Sequence, residues 1–155
     1  MNKEKLEKFI RLLQKVRKQP SQTFDLGLII KEPKSKASFE SIFRDIKKKL
    51  DIKKITYDKK IIDEDIIEEL IDSFKKEKWV FLEIKKDIGS LFLNQLIHLS
   101  NRNFLQLLNY NNQDVFEIKM PENSRIIIFT ERDFIKNKIT YPHFYRLFGP
   151  TLSIK

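Results

Sequence analysis

The chain contains no cysteine, only three glycines, two histidines and one tryptophan among its 155 residues. Without cysteine there is no disulfide, no thiolate nucleophile and no thiolate zinc site. His98 and His143 lie far apart and lack the helical pairing of a histidine metal site, so no metal and no cofactor are expected. The scarcity of glycine bears on phosphate chemistry, because a loop that wraps a phosphate needs glycine where backbone and ligand come close. No apolar run approaches the roughly 20 residues that span a bilayer. Met1-Asn2-Lys3-Glu4-Lys5 leads into an amphipathic segment rather than the apolar centre of a secretion signal. The reading is an intracellular protein, cytoplasmic or nuclear, with no membrane partner.

What is present is a core-forming composition with uneven charge. Hydrophobic residues make up 41% of the chain and include 13 Phe, enough for one domain over residues 1–155. The net charge of +9 is concentrated early: residues 1–60 hold 18 Lys or Arg against 8 acids, and the remainder holds 13 against 14. Such asymmetry fits nucleic acid, an anionic membrane or an acidic partner. Lys34, Lys47, Lys48, Lys49, Lys53 and Lys54 are the candidate phosphate-backbone contacts, with Lys31 and Lys36 beside them. Solvated helix faces account for the same lysines, and both readings stand. Phe39 and Phe43 fall on an apolar helical face and read as core, not as base-stacking platforms.

Leu6, Phe9, Ile10, Leu13 and Val16 recur at helical spacing, predicting an amphipathic helix over residues 1–19 that packs on the core. A strand follows over Thr23 to Ile30. Ser38 is placed to cap a second helix carrying Phe39, Ile42, Phe43, Ile46 and Leu50. Ile55-Thr56-Tyr57 is β-prone, and Asp63 to Lys76 is an acidic helix with carboxylates in its first turn and lysines in its last. Trp79 to Ile84 reads as a central strand because it is nearly all apolar. A long helix is expected from Gly89 through Leu93, Leu96, Ile97, Phe104, Leu107 and Leu108, with a break near Ser100-Asn101. Val115 to Met120 and the strand Arg125 to Thr130 follow. Phe134 to Phe148 reads as helical or irregular around Pro142, and Thr151 to Ile154 as a last strand. Strands alternating with helices predict a three-layer α/β domain whose mostly parallel, roughly five-stranded sheet is flanked by helices.

This order of elements resembles the core of the AAA ATPases, a branch of the P-loop NTPases. The family's first strand feeds a G-x-x-x-x-G-K-[ST] loop. Here Lys36 stands in the lysine position, but Ile30 and Ser35 replace the glycines and Ala37 the magnesium-binding hydroxyl, with Ser38 next to it. The resemblance places Glu83 as the first acid after an apolar strand, Ile84 where the second acid belongs, and Thr130 as the polar sensor. Arg146 takes the place of an arginine presented to a neighbouring subunit. It lies among Phe134, Tyr141, Phe144, Tyr145 and Phe148, and Tyr145 with Arg146 is the candidate interface. The degenerate motifs point to a non-catalytic AAA-like binding or scaffold module, acting in a protein assembly or oligomer and associated with nucleic acid. Enzyme alternatives are a weak NTPase using Lys36 and Glu83, and a magnesium nuclease of the PD-(D/E)xK type using Glu83, Lys85 and an upstream Asp58.

Overall fold

In the computed structural model, Leu26, Leu28 and Ile30 of the first strand are buried in one hydrophobic layer, and Ile29 in another on the opposite side. A strand apolar on both faces must lie inside a sheet covered on both sides. The structure describes residues 3–15, 26–108 and 114–155. Its elements are α1 (Lys3–Lys15), β1 (Leu26–Lys31), α2 (Phe39–Lys47), β2 (Ile52–Tyr57), α3 (Asp63–Lys75), β3 (Trp79–Ile84), α4 (Ser90–Arg102), β4 (Phe104–Leu108), β5 (Val115–Lys119), β6 (Ile126–Glu131), α5 (Arg132–Lys138), a 3-10 helix (Phe144–Leu147) and β7 (Thr151–Ile154).

Five strands form one sheet in the order β2-β3-β6-β1-β7, with every pairing parallel. The α/β layering expected from the sequence is therefore present, and the sheet is wholly parallel. Crossovers between parallel strands are right-handed, so the direction of travel selects the face that a connecting helix covers. The β1-to-β2 connection runs one way across the sheet, and the three later connections run back. In keeping with this, α2 packs with Ile29, Phe81 and Ile127, while α3 and α4 pack on the opposite layer with Leu28, Leu82 and Ile128. One crossover helix cannot cover a whole sheet face. The remainder is covered by α1, whose Leu6, Phe9, Ile10 and Leu13 are buried in the same layer as α2.

Two local features hold α1 down. Gly27 of β1 leaves room for it, since a Cβ there would lie 2.7 Å from Phe9 Cζ and 2.8 Å from Leu13 Cδ1. Buried Arg125 donates from Nε to the Leu13 carbonyl at 2.8 Å, putting positive charge against the last turn of the helix. Val16, Thr23, Phe24 and Asp25, assigned to helix and strand from the sequence, lie outside the described residues.

The long helix expected from Gly89 to Leu108 is corrected. It ends at Arg102, where Asn103 adopts a left-handed φ of 63°. Phe104–Leu108 then pairs with Val115–Lys119 as an antiparallel hairpin. Leu105 and Met120 sink into the α3–α4 layer, so tertiary packing overrides the helical spacing of Phe104, Leu107 and Leu108. Phe134–Phe148 resolves into the end of α5 and the separate 3-10 helix.

Leu13 has no exposed surface and its neighbour Leu12 is 46% exposed, which gives a direct test of α1 as a core element. Leu13→Ala is expected to cost about 2–5 kcal/mol in urea unfolding. Leu12→Ala should stay within about 0.5 kcal/mol. Equal, small effects at both positions would mean that α1 does not cover the sheet.

Candidate functional site

Ligands of open parallel sheets bind beyond the carboxyl ends of the strands, where neighbouring strands send their connections in opposite directions. In this sheet that switch lies between β1 and β6, because β1 leads away through α2 and β6 leads back through α5. The strands are in register there, with Ile30 opposite Thr130 and Lys31 opposite Glu131. The next residues, Glu32 and Arg132, therefore meet.

Glu32 fills the crevice with an ion pair. Its carboxylate accepts from Arg132 Nη2 at 2.7 Å and Nε at 3.2 Å, and from the Ser153 hydroxyl at the end of β7. Arg132 Nη1 also donates to the Tyr145 hydroxyl at 3.4 Å. Hydrogen bonding from Arg132, then from Ser153, holds the Glu32 carboxyl down at about 2. Lys31 and Glu131 repeat the pairing one residue earlier with the signs exchanged, at 3.9 Å.

The loop after β1 uses three of its amides on itself and on the first turn of α2. Ser35 N–H donates to the Glu32 carbonyl, Ala37 N–H to Ser35 Oγ, and Ser38 N–H to Ser41 Oγ. Ser41 N–H returns a bond to Ser38 Oγ, completing a capping box at the start of α2. Glu32 N–H is taken by the Ile154 carbonyl, and Pro33 has none to give. A phosphate cradle needs such donors pointing outward together. Ser38 thus serves α2 as its N-cap, while Lys36 is exposed and shares no ion pair with a described residue.

Thr130, next to last in β6, faces the Leu28–Ile128 layer, buried, with Oγ1 lacking a hydrogen-bond partner among the described residues. Glu83, next to last in β3, is on the α2 side. Burial, above all, raises its carboxyl, Lys85 at 3.6 Å opposes that rise, and the charges of Glu40 and Glu131 add to it. Asp58 follows β2, next to the strand that carries Glu83, and its Oδ1 accepts from Lys60 N–H at 2.9 Å. Among the described residues no three carboxylate or imidazole groups come together to hold a cation. Thr130 and Glu83 thus occupy opposite faces of the sheet.

The six candidate phosphate-contact lysines divide. Lys49 pairs with Glu7 of α1, Lys53 with Glu69 and Asp72 of α3, and Lys54 with Glu40 of α2. Lys53 and Lys54 lie on the edge strand β2, where charge also discourages pairing with another sheet. All three pair with the domain's own helices, while Lys49 and Lys54 stay exposed. Lys34, Lys47 and Lys48 remain exposed without ion pairs to described residues. Phe39 is buried, but Phe43 is only half-buried, with Lys47 Nζ 5.7 Å and Lys54 Nζ 5.4 Å from its ring centre. The aromatic cluster divides as well: Phe144, Leu147 and Phe148 are core, while Tyr145 is 44% exposed and Arg146 faces solvent.

Glu32, Arg132 and Ser153 escaped the sequence reading. No local spacing joins residues 100 and 121 positions apart; the only signal was opposite charge just past two strand ends, legible once those strands are known to be neighbours. The same holds for Tyr57, whose hydroxyl donates to Asp63 at 2.6 Å and accepts from Gly89 N–H at 2.9 Å. Asp63 in turn accepts from Phe92 N–H at 3.1 Å, capping α4 from another helix. Burial, then the bond to Asp63, pushes the Tyr57 hydroxyl up to about 12. Compared with models of known protein families and with curated proteins, the sequence matches none.

The Glu32 pair has a pH signature. Its folded pKa lies below the ordinary 4.5, so the pair stabilises the fold above that value and loses its contribution as pH falls toward about 2. Glu32→Gln is expected to flatten the decline of Tm across that interval in thermal melts. An acid limb of unchanged slope in the variant would show that the pair carries no linkage.

Proposed function

We propose that the chain is a non-catalytic, AAA-like binding or scaffold module that works within a protein assembly. The observation that carries this reading is the state of the carboxyl edge. The amides of Ser35, Ala37 and Ser38 in the loop after β1 are taken by acceptors within the loop and the first turn of α2, and the Glu32–Arg132–Ser153 network sets a carboxylate at the switch crevice, the wrong charge for a phosphate. The alternation of parallel strands and helices supports the likeness to AAA domains, and the replacements Ile30, Ser35, Ala37 and Ile84 support the loss of catalysis. Tyr145 and Arg146 stand outward on the 3-10 helix while Phe144 and Leu147 anchor it, which suits a rigid contact presented to a partner.

Calorimetry with magnesium ATP is expected to give no binding heat in the micromolar range. Micromolar binding abolished by Lys36→Ala would overturn the non-catalytic reading and favour the weak NTPase. For the assembly, Tyr145→Ala and Arg146→Ala should each weaken association by about 1 kcal/mol or more. Melting temperatures should move by no more than about 2 °C, because both side chains are exposed. Sedimentation reads self-association, and cross-linking in native extract reads other partners. A chain that remains monomeric and cross-links to nothing would sink the assembly reading, and unfolding by either variant would assign that residue to the core.

A further inference from the structure

Part of the early basic region of the sequence comes together on one side of the sheet. The helices α1 and α2 cover the same side of the sheet and are joined by the Lys49–Glu7 ion pair. Residues at i, i+3 and i+7 share a helix face. On α1 this spacing sets Lys8, Arg11 and Lys15 in one row opposite buried Leu6, Ile10 and Leu13, and all three are exposed. On α2 and its C-terminus, Arg44, Lys47 and Lys48 are exposed opposite buried Ile42 and Ile46. None of these six cations shares an ion pair with a described residue. Across the sheet α3 carries six carboxylates and one lysine, while α5 on that side is basic. With the acids Glu4, Glu7, Glu40 and Asp45 on the same two helices counted, charge is net positive over α1–α2 and negative over α3.

We propose that the outward surface of α1 and α2 binds nucleic acid through the phosphate backbone, without reading base sequence. Two exposed rows of cations on adjoining helices present many charges over a broad, rigid surface, which suits a polyanion better than a single phosphate group. The composition of the face argues against a lipid surface. Membrane-lying helices keep an apolar side for the bilayer, whereas the apolar side of α1 is spent on the sheet, and Leu12 is the one exposed large hydrophobic residue on the two helices. The acidic α3 on the opposite side would turn this face toward the nucleic acid by repulsion from the other. The surface lies across the sheet from the 3-10 helix, so its test is separate from that of the Tyr145–Arg146 contact.

The experiment is fluorescence anisotropy with labelled duplex and single-stranded oligonucleotides of random sequence. Binding is expected at low salt, falling about a hundredfold or more between about 50 and 200 mM salt, as four or more phosphate contacts require. Lys8→Glu/Arg11→Glu/Lys15→Glu and Arg44→Glu/Lys47→Glu/Lys48→Glu should each weaken binding at least tenfold at the lower salt. The matched triple Lys119→Glu/Lys136→Glu/Lys138→Glu, with the same charge change at exposed positions elsewhere, should weaken it less than threefold. If a Glu triple lowers the melting temperature, its Gln counterpart replaces it in the comparison. The proposal is overturned by absence of binding to both oligonucleotides at low salt, or by equal weakening in all three triples, which would reduce the effect to net charge. It is overturned equally by binding to anionic vesicles without binding to nucleic acid. Salt-sensitive self-association lost in the α1 or α2 triple, with no oligonucleotide binding, would assign the face to the acidic side of a second copy instead.

Discussion

Burial of both faces of the central strands is the constraint on which the structure depends. Leu28 and Ile29 of β1, and Ile127 and Ile128 of β6, leave no polar side to turn toward water. Both faces must be covered, and the single hand of parallel crossovers distributes the helices unequally between them. Three connections return on one side and one on the other, which makes α1 a necessary layer. Gly27 and Arg125 follow from that need: one permits close approach, and the other ties the C-terminal turn of the helix to the sheet.

The carboxyl edge illustrates how a parallel sheet behaves when its ligand-binding end is not kept open. Strand ends leave backbone donors and acceptors that something must satisfy. Here the chain satisfies several of them internally, through Ile154 for Glu32, Glu32 for Ser35 and the Ser38–Ser41 capping box. Alternating charges then close the space, with Lys31 facing Glu131 and Glu32 facing Arg132. Buried Thr130 Oγ1 stands outside this scheme, a polar atom that no described neighbour satisfies.

Electrostatic polarity is the property that the fold adds to the composition. The sheet separates a net-basic two-helix layer from the acidic α3, and at its edge Lys53 of β2 reaches Glu69 and Asp72 of α3 while Lys54 reaches Glu40 of α2. Alternation along β2 sends these two neighbouring lysines to opposite faces. Edge strand and charge protection are thereby combined in two residues.

Local pattern alone determined most elements of this protein. The helical spacing of Leu6, Phe9, Ile10 and Leu13, the Ser38 cap, the acidic first turn of α3 and the apolar run Trp79–Ile84 each act within a few residues, so sequence reveals them. The parallel α/β layering follows from their alternation. Helical spacing failed at Phe104–Leu108, because Leu105 gains more by burial in a hairpin than by continuing α4. Which lysines face outward, which aromatics around Pro142 are core, and the meeting of Glu32 with Arg132 and Ser153 were decided only by tertiary structure. Those outcomes depend on which strands become neighbours, a choice set by burial and crossover hand over separations of about a hundred residues and written in no local spacing.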